Sequence, residues 1–493
     1  MKMIYNVEDK PKFGQILVFA FQQLLAILAA TILVPVITNN AVNSAIADGK
    51  ITWQFTNEMD MAAALFGAGV GTLVYQLFTK FKSPVFLGSS FAFLGSLAAA
   101  FAGAVSAQAG YAGLIIGAVM AGLVYVVIAI IVKIAGVNWL NKLMPPVVIG
   151  PTVAIIGLSL AGNAISDLTK GGLQPEVTDY VLKYAEDGTA FVAETTKYES
   201  LASPYVALIC GLVTLIVVMV AATYGKKMAK LIPFIIGIAA GYAVAAIFTF
   251  IGIKTGNDAL KVIDFTPLTS LWVNGVNFNT FVSVPQFSFL EAIKGVKEIT
   301  PAYLGTLAAA YVPVAFVVFA EHVADHKNIS SIIERDLLKE PGLHRTLLGD
   351  GVGSMFGAFF GGCPNTTYGE SVACVAITRN ASSITIITTA IFAMMFAFIA
   401  PATGLLRTIP NCVMGGVCMA LYGFIAVSGL KMLQPVDLNK NRNLFVASVI
   451  LIAGIGGLSL SFGNITITTI ACALILGIVT NIILSKKKDD DAE

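Results

Sequence analysis

Apolar residues run along this chain in long unbroken stretches, separated by short clusters of Lys, Asp, Asn, Gly and Pro, with little one-sided periodicity. A stretch of about 20 apolar residues crosses the roughly 30 Å hydrocarbon layer of a bilayer as a helix. Such stretches begin near Gly14, Asp60, Ala112, Pro145, Pro204, Leu231, Pro301, Thr346, Ser383, Ile409, Leu444 and Ile465. They predict twelve membrane helices. Two further apolar segments, 84–104 and 363–379, are interrupted by Gly, Ser, Thr and Pro and are too short on either side of the break for a full helix. With them the count is about fourteen.

The two broken segments are third and tenth in this order, so they are offset by seven. Seven is odd, and halves related by that offset have inverted topology. A second pair shares the offset: PPVVIGP (145–151) opens the fifth span and PNCVMGG (410–416) opens the twelfth. The predicted fold is therefore an all-α polytopic membrane protein, two inverted repeats of seven segments, with two short antiparallel strands in segments 3 and 10.

Fourteen crossings place both termini on one side of the bilayer. Most of the 30 Lys and Arg residues fall on that side, which predicts cytoplasmic termini. The polar insert 166–203 and the stretch 254–288 then lie outside, as small caps or hairpins. The first apolar run is longer than a signal-peptide core and lacks an A-x-A site, so it is expected to be retained as the first helix.

Composition agrees with this pattern. Of 493 residues, 57% are hydrophobic and 12% charged, against roughly 25% charged in soluble domains. The net charge of +2 is too small and dispersed for a nucleic-acid surface. Six cysteines sit in or beside apolar runs without CxxC spacing and read as small core residues. There is no HExxH, P-loop, nucleophile elbow or zinc spacing, so neither enzyme nor ATP-driven pump is expected, and neither cofactor nor metal is called for.

Irregular backbone at membrane depth is tolerated only where protein or a water-filled cavity surrounds it, so the paired breaks mark a candidate solute site. Each reads as a short strand feeding a half-helix. The unpaired N–H groups at the half-helix starts, near Phe91 and Gly369, would face acceptor atoms of a ligand. Acids inside the membrane are the second pointer: Glu321, Asp350 and Glu370. On a helix Glu321 and Asp325 share one face, and His322 and His326 another. For Asp350 a structural role between helices and a ligand role stand equal. The two histidines read as satisfied interfacial residues more readily than as proton relays.

Carboxylate acceptors beside backbone donors suit a planar ring carrying N–H and C=O groups, such as a neutral nucleobase. Two acids in a poorly solvated site disfavour each other's ionised form. At least one is then expected to carry a proton, which ties solute movement to the proton gradient.

At these residues the chain resembles the nucleobase-ascorbate transporter family, in its bacterial uracil-permease branch. The resemblance rests on LVFAFQQLLAILAATILVPVIT, FLGSSFAF, AEHVADH, LHRTLLGDGVGS, PNTTYGESVACVAITR and IPNCVMGGV, and runs over nearly the whole membrane region. It implies a core domain (14–135 and 300–401) and a gate domain (138–254 and 404–485), with substrate between them, dimers formed through the gate and an elevator-type motion of the core. It implies uracil or a related nucleobase and a proton as partners within the lipid bilayer of the bacterial inner membrane. By position, Glu321 and Glu370 match the carboxylates that bond the base, Phe91 and Gly369 the backbone donors, and Tyr368 lies beside them. Glu321, Asp325 and Asp350 are the proton-coupling candidates. Glu at 370 resembles the uracil branch, where purine-type members usually carry Gln. The chain departs from the family pattern at Gln23, usually His; at Asp325, where uracil permeases usually have His; and at Ser371 and Ala373, usually Asn and Gly. A permease for xanthine, urate or another base, or a sodium-coupled version, is the alternative.

Overall fold

Residues 3–55, 57–136, 144–184, 190–226, 228–273, 275–462 and 465–485 are described by the computed structural model. The apolar runs become helices in the predicted order. The first half holds α1 (Phe13–Ala47), α2 (Met61–Phe78), strand β1 (Leu87–Ser89) with a 3-10 turn (Phe91–Phe93) and α3 (Leu94–Ala102), and α4 (Ala107–Ala135). It continues with α5 (Pro146–Ser159), α6 (Ala161–Asp167), strands β2 (Glu176–Tyr184) and β3 (Ala190–Tyr198), α7 (Pro204–Tyr224) and α8 (Pro233–Thr255). After α9 (Ser288–Gly295) come α10 (Pro301–Ile333), α11 (Leu343–Gly361), strand β4 (Asn365–Thr367) with α12 (Gly369–Thr378), and α13 (Ser383–Phe396). The chain ends in α14 (Ala400–Arg407), α15 (Asn411–Lys431), α16 (Asn441–Ile455), strands β5 (Leu460–Phe462) and β6 (Ile465–Ile467), and α17 (Thr469–Ser485).

At three of the long helices a polar residue before the run satisfies a free first-turn N–H with its side chain. Asp60 accepts from Ala62, Ser106 from Ala109, and Thr300 from Tyr303, with Pro301 at the first helical position. Among the described residues, eight stretches are long and apolar enough to cross a bilayer unaided: α1, α2, α4, α5 with α6, α7, α8, α10 and α15. The chain is a multi-pass membrane protein. Of the twelve expected spans, α13, α16 and α17 are shorter, at 14, 15 and 17 residues, and α11 carries His344, Arg345 and Asp350.

Two groups of helices pack among themselves. In one, α2 lies against α11 and α13, α4 against α10 and α11, and α1 against α2, α12 and α13. In the other, α15 lies against α5 and α7, α7 against α8, and α16 against α5 and α17. Lipid supplies no hydrophobic drive for helix association, so close packing depends on small residues. A Cβ at Gly67 of α2 would lie 2.5 Å from the Gly357 carbonyl oxygen of α11, and one at Gly71 would lie 2.7 Å from that of Gly353. In the second group Gly429 of α15 meets Gly150 of α5 in the same way. Residue 138, where the gate domain is expected to begin, lies outside the described residues.

The expected strands pair antiparallel, Leu87 with Thr367, Gly88 with Thr366 and Ser89 with Asn365. The strands and the segment leading into them are tied to α2 by further hydrogen bonds, as burial of polar groups in a membrane demands. Thr72 Oγ1 accepts the Leu87 N–H at 2.9 Å, Gln76 Nε2 donates to the Ser83 and Val85 carbonyls, and Asn365 Nδ2 donates to the Gly67 carbonyl.

The segments between the spans take the form of small hairpins and turns, and the start of the last span departs from expectation. The insert 166–203 contains a hairpin of two nine-residue strands, β2 and β3. The stretch 254–288 holds short helical turns and leads into the amphipathic α9. The last span starts at Thr469, not Ile465, because 465–467 pairs with 460–462 as a second hairpin. All six cysteines are buried and unpaired in disulfides, as expected of core residues.

Candidate functional site

A cavity of about 440 Å³ lies where the two helix groups face each other. One wall is built by Ser90 to Ala92, Thr366 to Glu370, and Glu321, Ala324 and Asp325 of α10. The other is built by Val153 and Ile156 of α5 and by Leu421, Phe424, Ile425 and Ser428 of α15. The first wall is polar and carries charge; the second is mainly apolar. The lining extends to Lys230 before α8, Ile377 near the end of α12 and Met432 after α15.

Two helix starts open onto this space. Ser90 and Tyr368 are both extended, and each is followed at once by helical turns, at Phe91 and Gly369. The antiparallel pair holds them side by side: Ser90 N–H donates to the Pro364 carbonyl at 3.0 Å and Tyr368 N–H to the Phe86 carbonyl at 3.3 Å. First-turn N–H groups have no acceptor within their own helix. A Cβ at Gly369 would meet no atom within 4 Å, so this start faces open space. Tyr368 is fixed by its hydroxyl, which donates to the Ser89 carbonyl at 2.6 Å. Its ring lies directly over Gly88, where any Cβ would overlap it.

Three carboxyl groups line the same cavity. Glu321 and Asp325, one helical turn apart, both face it, and Glu370 stands in the first turn of α12. The Thr367 hydroxyl donates to Asp325 Oδ2 at 2.7 Å. The predicted division of α10 into two faces is observed, since His322 and His326 are fully buried on the side away from the cavity.

Those histidines are hydrogen-bonded within the helix packing, satisfied as expected. His322 Nδ1 and Asp350 Oδ2 are 2.6 Å apart, and His322 Nε2 lies 2.9 Å from Thr346 Oγ1. His326 Nδ1 donates to the His322 carbonyl, which leaves Nε2 to accept from the Tyr75 hydroxyl at 2.7 Å. The structure therefore brings Glu321, Asp325, Glu370, Phe91, Tyr368 and Gly369 together and sets Asp350 apart, behind α10, in a buried pair with His322.

Sequence reasoning missed the opposite wall. Phe91 meets Tyr422 of α15 edge to face, ring centres 6.3 Å apart. No local motif marks such a contact, which arises only when distant segments pack. It also missed Thr367, although a hydroxyl in a strand two residues before the half-helix was a readable signal.

Comparison with known proteins places this architecture. The model of a permease family, Xan_ur_permease, matches residues 14–192 and 181–463. The chain is 34% identical over 496 residues to the uracil permease of Bacillus subtilis (strain 168), covering 100% of this chain and 98% of that one. It is 35% identical over 486 residues to the uracil permease of Bacillus caldolyticus, covering 98% and 95%. In fold it is similar to the murine Solute Carrier 26 family member A9 anion transporter in the inward-facing state, with a TM-score of 0.61, 10% identity, and coverage of 97% of this chain and 69% of that one.

Proposed function

The chain belongs to the nucleobase-ascorbate transporter family and is a transporter, not an enzyme; from that premise we propose that it imports uracil by proton symport. The observation that carries this reading is the convergence of three carboxyl groups and two helix starts on one cavity between two helix groups. Uracil is planar and offers two ring N–H donors and two carbonyl acceptors. Glu321 and Glu370 accept the N–H groups, and the backbone N–H groups of Phe91 and Gly369 donate to the carbonyls. Tyr368 and Phe91 frame the ring, and α5 and α15 close over its apolar edges. The relatives bearing the name uracil permease support this choice of base.

Proton coupling follows from charge. A neutral base that enters among three acids displaces the water that solvates their charge, which favours proton uptake by one of them, so binding and protonation favour each other. Glu321 is the proton site next to the solute, with Asp325 beside it and the Asp350–His322 pair behind.

Solute crossing then needs the wall that bears the acids to move relative to the wall that does not. The group 14–135 with 300–401 acts as a core and the group 138–254 with 404–485 as a gate. The two sevens of segments form inverted halves, the core moves as an elevator, and gate-to-gate contact makes a homodimer. The membrane is the bacterial cytoplasmic (inner) membrane, with both termini inside.

A binding panel of uracil, thymine, xanthine and hypoxanthine with the purified protein, run at two pH values, tests the assignment. Uracil binding tightest, and tighter at the lower pH, is the expected result. Preference for a purine would overturn it.

A further inference from the structure

Gln23, on the buried face of α1, directs its carboxamide at the first turn of α12. Its Nε2 donates to Ser371 Oγ at 2.6 Å and lies 3.4 Å from the Ser371 carbonyl. Ser371 is fully buried and directly follows Glu370. The same hydroxyl oxygen accepts the backbone N–H of Phe86 at 3.1 Å, and the Phe86 carbonyl in turn accepts from Tyr368. One oxygen atom thus joins α1, the strand entering β1 and the start of α12. Neither Gln23 nor Ser371 lines the cavity.

The start of α12 needs such an anchor. The helix has only ten residues and no side-chain bond at its N-cap, and it begins where the backbone has just left a three-residue strand. Its first turn carries two of the groups assigned to the solute, the Gly369 N–H and the Glu370 carboxylate. A displacement of this turn moves both together, and hydrogen bonds weaken steeply as distance and angle depart from their optimum.

We infer that Gln23 and Ser371 are positioning residues for solute binding: their hydrogen bond, shared with the Phe86 N–H, sets where Glu370 and the Gly369 N–H stand in the cavity. An apolar pair of similar volume would fill the space but would leave the Phe86 N–H buried without this acceptor. This inference rests on the reading of the cavity as a nucleobase site.

The test is a double-mutant cycle on the full-length protein purified in detergent, with Gln23→Leu, Ser371→Ala and the double variant. The uracil Kd and the thermal midpoint are measured for each. Each single change is expected to raise Kd by about tenfold, with the double variant no weaker than the worse single. Unchanged Kd with a lowered midpoint would show a purely structural contact and overturn the inference, as would losses that simply multiply. If Gln23→Leu fails to fold, Ser371→Ala alone decides between a raised and an unchanged Kd. Wild-type protein that binds no nucleobase overturns the functional reading and this inference together; wild-type binding without coupling between the two sites overturns only the inference.

Discussion

The hydroxyl of Thr367 donates to Asp325 Oδ2 at 2.7 Å, tying strand β4 to helix α10 at the edge of the cavity. Removing the donor of a part-buried hydrogen bond leaves its acceptor unsatisfied and costs about 1–3 kcal/mol. Thr367→Val keeps the shape and removes the donor. Uracil uptake is expected to fall about tenfold or more in this variant, since 1.4 kcal/mol corresponds to a factor of ten. Thr367→Ser, which retains the hydroxyl, is expected to stay within about twofold. Initial uptake rates normalised to the amount of protein in the membrane check the pair.

Gly88 lies under the Tyr368 ring, with no room for a Cβ. Gly88→Ala must push the ring outward and strain the Tyr368 hydroxyl bond to the Ser89 carbonyl. Overpacking of this kind costs about 1–3 kcal/mol. The thermal midpoint is expected to drop by several degrees and uracil affinity to weaken. Tyr368→Phe, which loses only the hydroxyl, is expected to shift the midpoint less. A scanning-fluorimetry comparison of the two in the same detergent is sufficient.

Asp60 caps α2 through the Ala62 N–H, accepts the Gln286 N–H at 2.9 Å and pairs with Arg407 at 2.7 Å. Its side chain is 3% exposed, and that of Arg407 is 45% exposed. A half-exposed ion pair contributes about 0–1 kcal/mol, whereas loss of a capping side chain costs about 0.5–2 kcal/mol. Asp60→Ala, which orphans three donors, is therefore expected to lower the thermal midpoint clearly more than Arg407→Ala. Equal drops would mean that the ion pair, not the backbone contacts, is what matters.

Asp350 and His322 form a fully buried pair, 2.6 Å between Oδ2 and Nδ1, outside the solute cavity. Removing one partner of such a pair leaves the other's buried polar atom without a hydrogen bond and costs about 1–3 kcal/mol. Asp350→Ala is expected to lower folded yield severely. Asp350→Asn, which keeps a hydrogen-bonding partner for His322, is expected to fold and to bind uracil within a few-fold of wild type while losing gradient-driven accumulation. Accumulation equal to wild type in Asp350→Asn would remove this residue from the proton path.

The spans and broken segments were legible because run length reflects bilayer thickness and because Gly, Ser, Thr and Pro cluster at corresponding places in segments too short for a full helix on either side. The same logic failed at 465–467, where Ile, Thr and Ile read equally as a helix start or a strand, and pairing with 460–462 decides. Glu321 and Asp325 were separable from His322 and His326 by helical spacing alone. Which face met the cavity was not, since that depends on where α11 places Asp350. Asp350 itself read equally as ligand or structural acid, because an acid on a helix does not disclose which neighbour it faces. The wall contributed by α5 and α15 left no local trace, as its residues are ordinary apolar side chains that acquire a role only by facing Phe91 and Glu321. The contact of Gln23 with Ser371, 348 positions apart in the chain, was equally beyond reach, although both residues stood out as departures from the family pattern.

The central claim is that Glu321 and Glu370 hold uracil in a proton-coupled site, and radiolabelled uracil uptake into proteoliposomes under an imposed inward proton gradient tests it most directly. Wild-type protein is expected to accumulate uracil and to lose accumulation on addition of a protonophore, while Glu321→Gln and Glu370→Gln show uptake reduced to near background. Wild-type uptake indifferent to the gradient, or uptake near the wild-type rate in both variants, would contradict it.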